Sequence, residues 1–174
     1  MKKINVRYIT QSAIIAALYV ALTLLFQPIS FGPVQVRIAE ILCVLPFFTP
    51  AAVPGLFVGC LIGNVLGSNL GPIDVGLGSL ATLAAAFLAS RIKKWWLLPL
   101  PAVVINAFVV GFVLYYALGA SMAGDFPFLI AGSLYLTASA SVFIGQAIAC
   151  YGGGLLLFWV LKARKGIIKN PLEN

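Results

Sequence analysis

Of 174 residues, 62% are apolar and only 9% are charged, against roughly a quarter charged in an ordinary soluble domain. A chain of this size has no aqueous core large enough for so much apolar side chain, so a water-soluble fold is excluded and lipid is the remaining solvent. Eleven basic against four acidic residues leave a net charge of +7, but the basic residues stand in short clusters between long uncharged stretches. That pattern marks membrane topology, not a nucleic-acid partner. The sequence has no histidine, which excludes histidine metal sites, a Ser-His pair and a histidine pH switch. Cys43, Cys60 and Cys150 have no paired spacing and read as small buried side chains, with no metal or cofactor implied.

Uncharged intervals run over 8–36, 41–73, 75–90, 95–124 and 126–161, and a helical crossing needs about 20 mostly apolar residues. The first interval predicts a helix over 8–27, ended by Pro28 and the turn Phe31-Gly32-Pro33. It follows Met1-Lys2-Lys3 as a signal peptide would, but its apolar run is too long and lacks a cleavage site, so it is retained. The second interval, broken by Pro46, Pro50 and Pro54-Gly55, predicts helices over 35–48 and 53–68. Helices over 72–90 and 97–118 follow. Residues 119–137, with Gly119, Gly124, Pro127 and Gly132, read as a loop containing a half-buried piece, before a sixth helix over 138–161.

Six crossings put both termini on one side, together with Lys2, Lys3, Arg7, Arg91, Lys93, Lys94, Lys162, Arg164, Lys165 and Lys169. Only Arg37 falls opposite, with Glu40, Asp74 and Asp125. By the positive-inside rule both termini are cytoplasmic; five crossings would strand the 91–94 cluster outside. Trp95, Trp96 and Trp159 lie beside the inner basic clusters, as interfacial anchors do. The expected architecture is an all-α, polytopic membrane protein: one integral domain over 1–174, a bundle of six transmembrane helices.

Small residues recur every four positions in two helices, Ala13, Ala17 and Ala21 in the first and Gly55, Gly59, Gly63 and Gly67 in the third. Such stripes let helices approach closely in lipid. The glycines read as internal packing. The alanines fit internal packing or the face of another membrane subunit equally well.

Charged and strongly polar groups within spans are costly and usually functional. At about 1.5 Å per residue, Arg37, Glu40, Asn64 and Asp74 fall in the outer part of the bundle, Asn106 near mid-depth, and Gln146 in the outer half of the sixth helix. Arg37 and Glu40, three apart, share a helix face and can pair. This is a pocket open outward and closed below. Asp74 fits a helix cap as well as a ligand contact, Asn106 and Gln146 fit interhelical bonds as well as binding, and Asp125 fits a loop turn better than a ligand. Phe31, Tyr115, Tyr116, Phe126, Phe128 and Tyr135 line the outer region. Carboxylate, amide, guanidinium and aromatic faces together suit a small planar polar ligand such as a nucleobase. No phosphate-binding loop is present, so energy from ATP requires separate subunits, and no nucleophile–base pair points to an enzyme.

The run Ala13-Ile14-Ile15-Ala16-Ala17-Leu18-Tyr19-Val20-Ala21 resembles the small-residue motif of the substrate-binding S components of energy-coupling factor transporters. The stretch from Pro28 through Gln35-Val36-Arg37-Ile38-Ala39-Glu40, then Leu45-Pro46-Phe47-Phe48-Thr49-Pro50, with Gly78-Ser79-Leu80-Ala81-Thr82-Leu83, is similar to the QueT branch, which takes up queuosine precursors. The resemblance covers nearly the whole chain. It implies six helices, docking through the alanine face onto a transmembrane T component, and two ATPase subunits. It also implies a 7-deazaguanine ligand (queuine or its cyano or aminomethyl precursor) and residence in a prokaryotic plasma membrane. Gln35, Arg37, Glu40, Asn64, Asp74, Asn106, Tyr115 and Gln146 are the candidate binding residues, with Glu40 first for the N–H edge of the base. The competing expectation is a stand-alone secondary transporter or facilitator for another small polar solute or vitamin.

Overall fold

The computed structural model describes residues 6–31, 35–121 and 128–164, with the backbone alone at 118–121 and 128–132. Among the described residues every regular element is helical and there is no strand. In chain order they are α1 (Val6–Leu25), α2 (Gln27–Ser30), a 3₁₀ helix (Ile38–Phe47) and α3 (Ala52–Gly67). A π-turn (Asp74–Gly78) then runs into α4 (Ser79–Ala89), followed by a short 3₁₀ turn (Trp95–Leu97) and α5 (Leu100–Ser121). The last unit is α6 (Phe128–Ala147), a π segment (Ile148–Gly154) and α7 (Leu155–Ala163). Among the described residues three stretches are long and apolar enough to cross a bilayer, Val6–Leu25, Trp95–Ala117 and Ser133–Ala163; Ile38–Phe47, Ala52–Gly67 and Asp74–Ala89 are shorter apolar helices.

Helix begins earlier in the last third than turn residues imply, because residues 128–137, expected as loop, belong to α6. Gly132 costs a helix about 1 kcal/mol against alanine, but in lipid an open backbone group costs several, so the helix continues through it. Gly152, Gly153 and Gly154 are likewise absorbed, by the π segment. Asp125 and Phe126 lie outside the described residues, as does the side chain of Phe128.

The 3₁₀ helix occupies the middle of the fold. Ala39, Glu40, Leu42, Cys43, Val44 and Pro46 are all buried, leaving it no outward face. It packs against α1, α3, α4, α7 and the Ile148–Gly154 segment. At about 2.0 Å per residue a 3₁₀ helix is drawn out relative to the α form, so ten residues reach roughly 20 Å where an α-helix would reach about 15 Å.

The glycine stripe of α3 faces α1. A Cβ at Gly55 would lie 2.8 Å from the Ser12 carbonyl oxygen, and one at Gly59 would lie 2.7 Å from the Tyr19 Cβ. At Gly63 and Gly67 the neighbours are Thr23 and the Phe31 ring. With the stripe turned inward, Ala16, Tyr19 and Thr23 form the buried face of α1, whereas Ala13, Ala17 and Ala21 are exposed. At the other end of the fold Trp95, Phe158 and Trp159 cluster, with the Lys162 ammonium 4.9 Å from the Trp159 ring.

Candidate functional site

Three charged side chains are buried among the described residues, Arg37, Glu40 and Asp74; the other described charges are exposed. Their surroundings come from α1, α3, the π-turn, α4, α6 and the Ile148–Gly154 segment. Close packing of α1 on α3 brings the Tyr19 hydroxyl to Glu40, to which it donates a 2.6 Å hydrogen bond. The hydroxyl of Thr82, on α4, reaches the same Oε1 at 3.4 Å, the Cys60 sulfur at 3.3 Å and the Gly78 carbonyl at 3.2 Å. The Tyr19 hydroxyl is thus the close donor to Glu40, while the single Thr82 proton is shared among three acceptors of which Glu40 is the farthest.

Arg37 precedes the 3₁₀ helix in an extended conformation, φ −83° and ψ 96°. The helical face-sharing expected of Arg37 and Glu40 therefore does not apply. Among the described residues the guanidinium has no bond to Glu40: Nη1 donates to the Cys60 sulfur at 3.6 Å and the group lies 5.3 Å from the Phe31 ring. Its Nε and Nη2 are buried without partners. Two residues earlier, Gln35 holds a left-handed φ of 46°, a conformation that costs an L-residue about 1–2 kcal/mol. Its side chain is buried and Nε2 has no partner. Strain of this kind concentrates where function over-determines the backbone.

Cys60 is the hub of the cluster, touched by Arg37, Thr82 and the Asn64 amide, the last at 3.6 Å. Asn64 also donates to the Asp74 backbone carbonyl at 3.2 Å, while its own Oδ1 is unpartnered. Asp74 accepts 2.5 Å from the Ser68 hydroxyl on Oδ2; its Oδ1 is buried and free. The π-turn carrying Asp74 brings Gly78 over it, where a Cβ would sit 3.0 Å from Asp74 Oδ1 and 3.1 Å from Asn64 Nδ2. π-turns inside α-helices are frequent at functional sites.

Gln146 joins from the other side. Its Oε1 lies 3.6 Å from Cys150 Sγ, which is also 3.6 Å from the Glu40 carbonyl oxygen. Asn106 is buried on α5 with both amide atoms unpartnered, and α5 packs against the π-turn that carries Asp74. Tyr115, on α5, has its ring 6.1 Å from that of Tyr135 on α6 and 6.4 Å from that of Phe112. The structure thus links Arg37, Glu40, Asn64 and Asp74 through Cys60 and its neighbours, with Gln146 reaching the cluster through Cys150; among the described residues no hydrogen bond joins Asn106 or Tyr115 to them. Tyr19, Cys60, Ser68 and Thr82 were missed as site residues in the sequence. Two spacings carried the signal: Ala16-Tyr19-Thr23 at i, i+3, i+7, and Cys60-Asn64 at i, i+4, each setting polar atoms on a face that must turn inward.

The sequence model of a family described as QueT transporter matches residues 9–163. The Queuosine precursor transporter QueT of Lactococcus lactis subsp. cremoris (strain MG1363) is 34% identical over 164 residues, covering 85% of this chain and 93% of that protein. No solved structure matches.

Proposed function

The chain belongs to the QueT transporter family, a family of transporters and not of enzymes, and from that premise we propose that it is the substrate-binding S component of an energy-coupling factor importer. Its cargo is a queuosine precursor, a 7-deazaguanine base. In this reading the chain is one membrane domain of six crossings in a prokaryotic plasma membrane, with both termini in the cytoplasm. Separate ATPase subunits and a transmembrane T component supply the motion.

The observation that carries the reading is a buried acceptor and a buried donor three residues apart, Glu40 and Arg37, the latter with two N–H groups free. A guanine-like ring offers two adjacent N–H donors and a carbonyl acceptor along one edge. An ionised carboxylate only accepts and a guanidinium only donates, so Glu40 takes the N–H edge and Arg37 the carbonyl. Gln35, with its free amide N–H, supplies a further donor. Ala13, Ala17 and Ala21, exposed on α1, form the smooth face for the T component.

The test is calorimetry on the detergent-purified chain with 7-deazaguanine bases, joined to native mass spectrometry for a co-purified base. Saturable binding supports the reading; no binding of any 7-deazaguanine removes it. Uptake into liposomes by the chain alone, without ATPase subunits, would remove the S-component role and favour a stand-alone transporter.

A further inference from the structure

Two of the bilayer-length stretches meet at one corner of the fold: Trp95–Ala117 begins there and Ser133–Ala163 ends there. The Trp95 ring lies 5.3 Å from that of Trp159 and 6.4 Å from that of Phe158. Phe158 is buried, whereas Trp95, Trp96 and Trp159 are exposed. The contact draws two basic segments together. Lys93 and Lys94 run directly into Trp95, and the Lys162 ammonium stands 4.9 Å from the Trp159 ring and 5.9 Å from that of Phe158. All three lysines are exposed. A cation held over an aromatic face is positioned by it but keeps its charge. The acidic side chains among the described residues are Glu40 and Asp74, both buried, so no described carboxylate answers the lysines of this corner.

The surface beside them is apolar. Leu156 and Val160, four residues apart on α7, share a face with Trp159 and are 67% and 50% exposed. Aliphatic side chains, then indoles, then ammonium groups follow the order of acyl chain, interfacial layer and phosphate in a phospholipid.

We propose that this corner binds one anionic phospholipid, with its phosphate between Lys94 and Lys162 and an acyl chain along Leu156 and Val160. An ammonium only donates and an ionised phosphate oxygen only accepts, and basic pockets between membrane helices take anionic headgroups. A zwitterionic lipid would bring its own cation to a corner already crowded with them. An acidic protein segment would answer the charge and leave Leu156 and Val160 uncovered. The site is separate from the buried cluster at Glu40 and stands whether or not that cluster holds the cargo.

The chain has three tryptophans, all at this corner, so its indole fluorescence reports on this place alone. The full-length protein in phosphatidylcholine bilayers is titrated with phosphatidylglycerol carrying brominated acyl chains, which quench indoles on contact, and in parallel with brominated phosphatidylcholine. Half-maximal quenching by the anionic lipid is expected at a mole fraction at least about threefold lower. In the double variant Lys94→Gln, Lys162→Gln that preference falls to within about 1.5-fold of unity. Equal quenching by the two lipids in the unsubstituted protein overturns the site. A preference that survives the double substitution also overturns it, because the attraction then belongs to the charge of the whole molecule. Soluble poly-glutamate that shifts the indole emission where brominated phosphatidylglycerol does not quench it overturns the lipid and assigns the corner to an acidic protein. The comparison on the unsubstituted protein decides the matter even if the variant does not fold.

Discussion

The Tyr19 hydroxyl and the Glu40 carboxylate meet at 2.6 Å across 21 residues of sequence, one on the first helix and the other on the central 3₁₀ helix. Both side chains are buried. A hydrogen bond to a buried charged group contributes about 1.5–3 kcal/mol, and leaving Glu40 short of a donor forfeits it. Tyr19→Phe is therefore expected to lower the thermal midpoint in detergent and to weaken ligand binding, with little change in helix content. An unchanged midpoint in a melt followed by circular dichroism would deny the bond any weight.

Glu40→Gln keeps the shape and removes the charge. In the proposed binding mode one acceptor oxygen is replaced by a donor facing the N–H edge of the base, so affinity is expected to fall more than tenfold, about 1.4 kcal/mol or more. Calorimetry measures it, and unchanged affinity would take Glu40 out of the ligand site.

Gly59→Ala tests the helix contact beneath the site. The added methyl would stand 2.7 Å from Tyr19 Cβ and 2.9 Å from the Ala16 carbonyl oxygen, and overpacking of this sort costs about 1–3 kcal/mol. Gly152→Ala is the control, since a Cβ there meets nothing within 4 Å. Thermal melts should separate the two; equal midpoints would mean that α1 and α3 are not so closely packed.

Ala17→Trp acts on the opposite side of α1. Ala17 is exposed, so the bulky ring leaves the interior intact and blocks a flat partner. If the chain is an S component as proposed, uptake and co-purification with a T component should be lost while calorimetric ligand binding by the isolated chain persists. Normal co-purification would show that the partner docks elsewhere.

Much of the fold was legible because charge and proline punctuate apolar runs. Glycine was the misleading signal: Gly132 reads as a loop and lies in α6, since lipid penalises an interrupted backbone more than it penalises glycine. Of the site, the charged members could be found because a charge in an apolar span is conspicuous. Cys60 could not, because a thiol at an apolar position looks the same whether it merely fills space or bridges Arg37, Asn64 and Thr82. The winding of Ile38–Phe47 was also hidden, since 3₁₀ and α-helices draw on the same residues and differ by which carbonyl each N–H meets.

α1 is two-sided. Ala17 looks out and Tyr19, two positions on, looks in. A rigid rod geared in this way cannot be turned on one side alone. Rolling it by about 15° sweeps atoms at its rim, some 5–6 Å from the axis, through roughly 1.5 Å, enough to part the phenol from the carboxylate. Whatever leans on the alanines therefore has a lever on the bond between Tyr19 and Glu40.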